Sequence, residues 1–250
     1  MSDFHGQPVA VPGAADQAVD QGLRAFMLSV YNKLAIGLLL SAVVAYATAT
    51  IPGVMETMYT VEGGRVTGYT PIGIGVAFAP LGLILISMFA MRNPSPASAN
   101  FLYWAIVLTV GAGLAVVLWI YTGLSITTAF VTTALAFGGL SLYGYTTKRN
   151  LGPIGSFLAM ALIGLVIAFA LSFFLPGQTN PTLLLIMNGI GVLISAGLIA
   201  WCTQDLKYSY YATLGDERAQ KVASTLGALT LFIQFVNLFR FLLAFIGVRR

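Results

Sequence analysis

Apolar residues run along this chain in long blocks, without the alternation of a half-buried strand. Seven windows are nearly unbroken: 34–52, 72–91, 101–121, 126–145, 154–175, 182–201 and 223–247. A helix rises ~1.5 Å per residue, so a window of about 20 residues crosses a hydrocarbon core of about 30 Å. The pattern predicts seven transmembrane helices. Pro52-Gly53, Pro94, Pro96, Gly152-Pro153, Pro176-Gly177 and Pro181 punctuate the gaps, where a helix has to stop or restart. The connections are short, which predicts that consecutive helices are antiparallel neighbours in one bundle.

Residues 1–22 are small, polar and rich in Pro and Gly, with little to bury, and predict a disordered tail; residues 23–250 form one transmembrane domain. Residues 23–33 mix apolar positions with Arg24 and Lys33 and read as an interfacial lead-in to the first span. The first 22 residues hold no Lys or Arg, the wrong start for a signal peptide. Ala47-Thr48-Ala49 resembles a cleavage site, but the leader would be unusually long, and an uncleaved first helix is the better reading.

Composition agrees. Of 250 residues, 58% are apolar and 8% charged, against about 25% charged in a soluble domain, and the mean hydropathy is +0.89. The alternating pattern of an outer-membrane barrel is missing. The class is therefore an all-α integral membrane protein, with the lipid bilayer as its first partner. Net charge is +4, and orientation explains it better than nucleic acid does. With the N-terminus inside, the inner segments carry Arg24, Lys33, Arg92, Lys148, Arg149, Lys207, Arg218 and Lys221, and the outer loops only Arg65, a positive-inside bias. Arg249-Arg250 would then lie outside if the last span crosses fully.

One cysteine excludes an internal disulfide and a cysteine metal site. The single histidine, His5, lies in the tail, so neither a Ser–His intramembrane protease nor an H-E-x-x-H metalloenzyme fits. No enzyme activity and no cofactor is expected. Thr127, Thr128, Thr132 and Thr133 in the fourth span, with Gly138-Gly139 and Gly73-Ile74-Gly75, read as helix-packing or kink positions.

The last two spans differ. Asn188, Gly191, Ser195, Leu198, Cys202 and Asp205 recur at steps of three and four, as do Ser224, Gly227, Thr230, Gln234 and Asn237. Such steps place each set on one helix face, and amides or a carboxylate facing lipid are costly. Both stripes are expected to face inward and each other. They serve either to hydrogen-bond the two helices or as a polar track for an ion. Arg240, well inside the last apolar run, has to snorkel, pair with an acid or line a hydrated cavity.

Several stretches carry a family resemblance: Gly22-Leu23-Arg24 followed by Val30-Tyr31-Asn32, the run Ala136 to Arg149 (AFGGLSLYGYTTKR), and Asn237-Leu238-Phe239. From about residue 20 to the C-terminus the sequence resembles the Bax inhibitor-1 family, bacterial branch. The resemblance implies a seven-helix bundle in the bacterial inner membrane with the last helix central, surrounded by the other six. It also implies a calcium leak gated by pH through two facing aspartates, which share protons when close. At those two positions this chain has Cys202 (in Trp201-Cys202-Thr203-Gln204-Asp205) and Gln234 (in Gln234-Phe235-Val236-Asn237), neither of them charged near neutral pH. The two-aspartate switch cannot operate in the sequence as written. An arginine usual in the family near position 244 is replaced by Ala244, with Arg240 one turn earlier.

Asp205 lies three residues after Cys202, about 4.5 Å along the axis. It reads either as a displaced carboxylate pairing with Arg92, Lys148 or Arg240, or, preferred, as an interfacial Asp beside Lys207. The candidate ion-pathway positions are thus Cys202, Asp205, Gln234, Asn237 and Arg240, with calcium as candidate ion. The alternative implied by the resemblance is a regulatory protein that associates with a membrane-bound ATP-dependent protease, through residues 1–22 and the loop 202–222.

Overall fold

The computed structural model describes residues 14–62, 65–90, 93–174 and 180–249. Its elements are α1 (Ala14–Thr50), α2 (Pro52–Met58), β1 (Tyr59–Glu62), β2 (Arg65–Tyr69), α3 (Pro71–Ala90), α4 (Pro96–Ile120), α5 (Gly123–Thr146), α6 (Gly152–Phe174), α7 (Pro181–Ala212) and α8 (Glu217–Ile246). Each of the seven apolar windows falls on one of the seven long helices. Among the described residues, six are long and apolar enough to cross a membrane, and α3 offers a shorter apolar stretch, Pro71–Ser87.

Pro52, Pro71, Pro96 and Pro181 start helices, while Pro80 lies inside α3. Pro96 and Pro181 open α4 and α7 at the first turn, where a missing N–H costs nothing. Ser95 and Ser98 form a reciprocal cap on α4, Ser98 N donating to Ser95 Oγ (3.1 Å) and Ser95 N to Ser98 Oγ (2.9 Å). Asp216 caps α8 by accepting from Ala219 N at 2.9 Å. Pro176-Gly177 lies outside the described residues.

Three boundaries differ from expectation. The tail and lead-in are not separate from the first span: α1 is continuous from Ala14, and Leu23, Phe26, Met27, Val30 and Leu34 are buried along it. That three-four spacing is an amphipathic helical stripe, which the two charges at 24 and 33 obscured; residues 1–13 lie outside the described residues. Second, the loop expected at 202–222 is mostly helix. α7 continues to Ala212 and α8 begins at Glu217, because the apolar stripe runs on through Cys202, Leu206 and Tyr210. Third, the connection after the first span holds α2 and an antiparallel hairpin pairing Tyr59 with Tyr69 and Thr60 with Gly68. The signal was an alternating Tyr-Thr-Val-Glu-Gly-Gly-Arg-Val-Thr-Gly-Tyr run around Gly-Gly. Tyr59 is buried there and donates to the Ala112 carbonyl (3.2 Å). Burial, then the neighbouring Tyr69, push its phenol up to about 12 against the opposing backbone bond at Val116, so it keeps its donor proton near neutral pH.

Chain order does not set the neighbours. α1 packs along α4, and α5 along α7 and α8, whereas α5 barely meets α4. The expectation that consecutive helices are neighbours holds for α3–α4, α6–α7 and α7–α8 and fails between α1 and α3 and around α5, since loop length limits distance without choosing the partner. α8 is central and is the most buried of the six spans, with α1, α4, α5 and α7 against it. The picture of six surrounding helices needs correction. α6 reaches α8 through the stacked rings of Phe169 and Phe241 (6.2 Å), and α3 packs on α4 and α2 instead. The end of α8 is also settled: Thr122 N donates to Val248 O (3.2 Å) and Tyr121 bridges Arg249. The last helix therefore runs the whole bundle, and its C-terminus lies at the α4–α5 end.

Candidate functional site

The contact between α7 and α8 is ruled by two close approaches. A Cβ on Gly191 would strike the Phe241 ring, whose nearest atom is 2.7 Å away, and one on Gly227 would collide with Leu206 Cδ2. Gly227, Gln234 and Phe241 are spaced by seven, so they share one face of α8. Both outer members touch α7, and Gln234 between them therefore faces α7 too. The helices are antiparallel, and Gln234 lies level with Leu198 and Ile199. That is about 5 Å along the axis from Cys202 and from Ser195 on either side, at 1.5 Å per residue.

Cys202 and Gln234 are both buried, at 6% and 8% exposure. Cys202 is a free thiol in the main apolar cluster, with Leu206, Leu231 and Phe235. Ser195 Oγ and Gln234 Oε1 are buried and have no hydrogen-bond partner. Thr133, Thr203 and Thr225, also buried, each donate to a carbonyl one turn back (2.7–2.9 Å), so Ser195 departs from its peers. The α7 stripe is interior from Gly191 to Cys202, whereas the α8 stripe is broken, with Gly227 and Gln234 buried and Thr230 between them exposed. Asn188, Ser224 and Asn237 are half-buried, and Thr230, Asp205 and Arg240 are exposed.

The structure separates the partners of the alternative, paired reading of Asp205. By the same register Arg240 sits about 20 Å along the axis from Asp205, so a displaced carboxylate paired with Arg240 is ruled out. The one ion pair among the described residues is Lys221 with Glu217 (3.7 Å), which leaves Lys148 unpaired with Asp205 as well; Arg92 lies outside the described residues. Lys207 turns to α5, donating to the Tyr145 carbonyl at 2.7 Å and standing 5.0 Å from that ring's centre. Of the packing positions, Thr133 is buried, while Thr127, Thr128 and Thr132 are exposed. Gly73 packs on Met58, whereas Gly75, Gly138 and Gly139 meet nothing within 4 Å.

Sequence reasoning missed the polar ties at the end of the bundle that holds the α7–α8 turn. Lys33 of α1 donates to Asn100 Oδ1 (2.8 Å) on α4 and to Thr225 Oγ1 (2.7 Å) on α8, and Tyr103 donates to the Lys33 carbonyl (2.6 Å). Tyr31 bonds Ser141, which bonds Thr203 (3.0 Å), joining α1, α5 and α7. Tyr31 and Ser141 both lie in the stretches that carry the family resemblance. That was the available signal, but nothing in the sequence says that they meet.

Gln204, buried on α7, fixes the α5–α6 connection. Its Nε2 donates to the Arg149 carbonyl and its Oε1 accepts from Leu151 N, both at 2.8 Å. Gln204→Leu strips both bonds and leaves Leu151 N–H buried without a partner, an expected loss of about 2 kcal/mol. Gln204→Glu keeps an acceptor for Leu151 but has no donor for Arg149, and should fall between. Thermal unfolding of the purified protein in detergent ranks the three.

The family described as Inhibitor of apoptosis-promoting Bax1 matches residues 23–250. A protein of Caulobacter vibrioides is 52% identical over all of both chains. One of Rickettsia prowazekii is 39% identical over 94% of each. The Inner membrane protein YbhL of Escherichia coli is 38% identical over 92% of this chain and 94% of its own. With an all-helical membrane bundle, a central last helix and matches that span nearly the whole length, this chain belongs to the Bax inhibitor-1 family.

Proposed function

We propose that this protein is a passive cation leak of the bacterial inner membrane, calcium among its ions, that runs without a two-carboxylate proton switch. The observation that carries the reading is the unpartnered pair Ser195 Oγ and Gln234 Oε1. Buried oxygens of this kind take water or a passing ion in place of a fixed partner. Both lie on the α7–α8 contact, and Gln234, like Cys202, stands where the resemblance puts one of the family's aspartates. With Cys202 and Gln234 neutral, nothing on that contact titrates as a carboxylate pair would. The N-terminus is cytoplasmic in this reading, as the loop charges favour, and the C-terminus lies on the opposite side.

Calcium entry into dye-loaded liposomes, followed from about pH 5 to 8, tests it on the natural chain and on Cys202→Asp/Gln234→Asp. The natural chain should conduct with a flat profile. In the double variant two nearby carboxylates share a proton, which raises one of their pKa values toward neutrality. Its flux should then swing roughly tenfold across the range, as a single titrating site does.

A different observation favours a regulatory role. A mixed polar cavity of about 370 Å³ opens beside the α7–α8 turn, lined by Phe26, Ser29, Tyr210, Glu217 and Lys221 among others. It is a seat for a partner's segment, a membrane-bound ATP-dependent protease in the reading implied by the resemblance. Flux no greater than that of empty liposomes from both chains, at every pH, moves the function to this second reading.

A further inference from the structure

α1 and α5 do not pack along their length, and between them a groove of about 370 Å³ opens on the side of the bundle. Its floor is the central helix, through Phe235, Val236 and Phe239, and its rim includes Ala42, Tyr46 and Phe130, all three exposed. The groove lies within the membrane-spanning lengths of α1, α4, α5 and α8, so its mouth faces hydrocarbon.

Its walls are apolar for a reason that can be traced. Ser41, which also borders it, is turned to the protein and donates to the Val107 carbonyl at 2.8 Å. Thr127 is spent on its own helix, donating to Gly123 O at 3.0 Å. Phe130 is held in place by edge contacts with Phe235 (5.7 Å) and Phe239 (6.3 Å). Water needs two to four polar partners to stay in such a site, and apart from the Tyr46 hydroxyl at the rim the lining side chains offer no polar group that is not already bonded within the protein. An apolar recess open to the bilayer fills with what the bilayer supplies.

We propose that this groove holds one acyl chain of a membrane phospholipid, seated against α8. The source is settled by place and charge. The groove lies toward the end of the bundle where α1, α4 and α8 terminate, and that end carries Arg249 over the Tyr121 ring (6.0 Å). A cation there suits a phosphate headgroup whose tail has entered between α1 and α5. The chain lies against Phe235, the residue after Gln234, so lipid bears on the same stretch of α8 as the buried polar contact with α7.

Native mass spectrometry of the full chain, released from mild detergent, counts retained phospholipid. Ala42→Trp places an indole across the groove mouth; Leu39→Trp places the same bulk on the exposed outer face of α1, outside the lining. The natural chain and Leu39→Trp should each keep one phospholipid. Ala42→Trp should lower its occupancy about tenfold, since several methylene groups lose their apolar contact. Equal retention in all three overturns the proposal. So does equal loss in both variants, which marks a general effect of bulk, and so does a retained molecule that is a quinone or detergent.

Discussion

Gly144→Val should damage this protein severely, lowering its unfolding midpoint in detergent by roughly 10 °C. Gly144 of α5 is buried against the backbone of α7. A Cβ there would collide with the Ala200 carbonyl oxygen and stand 2.9 Å from its carbon and 3.0 Å from Ala200 Cα. The obstacle is main chain inside a helix and cannot rotate away, so α5 and α7 would have to part. Parting also stretches the bond from Ser141 to Thr203, one turn along. Overpacking costs about 1–3 kcal/mol, here toward the top of the range. A chain of this size loses about 2–4 °C per kcal/mol. Gly139→Ala is the control: nothing lies within 4 Å of that position, and the alanine should be neutral or slightly stabilising through better helix propensity. A Gly144→Val midpoint within a degree or two of the natural chain would refute the close approach of α5 and α7.

Lys33→Met should follow, with a loss of about 2 kcal/mol: a bond from a charged donor contributes about 1.5–3 kcal/mol, and Lys33 is only half-buried, so solvent takes up part of the loss. The methionine keeps the apolar stem and removes the ammonium. It leaves Asn100 Oδ1 without its donor, while Asn100 Nδ2 remains bound to Pro96 O (2.7 Å) and holds the amide in place. Thr225 keeps its bond to the Lys221 carbonyl (2.9 Å) but loses the donor from Lys33. Three helices, α1, α4 and α8, lose the tie at one stroke. Lys33→Arg keeps charge but offers a planar fork where a compact ammonium sits between two acceptors, so rescue should be partial. Thermal unfolding of the three proteins side by side gives the order. A methionine variant as stable as the natural chain would mean that the two bonds hold nothing together.

Both changes fall on residues whose importance a linear reading could not see. Gly144 lies inside a family-like stretch, yet so do Gly138 and Gly139, which touch nothing. Lys33 counted only as one of eight inner positive charges. Of the candidate ion-pathway positions, the structure buries Cys202 and Gln234, leaves Asn237 half-buried and exposes Asp205 and Arg240. Equal spacing along a stripe could not distinguish them. The periodicity gives a helix face, while burial along that face depends on how far each neighbouring helix extends beside it.

What the sequence determined by itself was everything set by local chemistry and by the solvent. Seven apolar windows and the scarcity of charge require membrane helices, because backbone groups in hydrocarbon have to bond internally. Prolines and capping side chains such as Ser95 and Asp216 mark where helices begin. The stretches around Tyr31, Ser141 and Asn237 carry the family resemblance. The tertiary structure alone decided which helices touch: α1 with α4, α5 with α7, and α8 among four of them. It also brought Lys33 to Thr225 across 192 residues and Tyr31 to Ser141 across 110, and it left a lateral groove between α1 and α5. The reason is physical. In lipid an apolar face has no preference between an acyl chain and another helix, so hydrophobicity places a helix in the membrane but does not choose its partner. That choice falls to close backbone approach at a few small residues and to hydrogen bonds between distant side chains, both of which exist only once the helices are assembled.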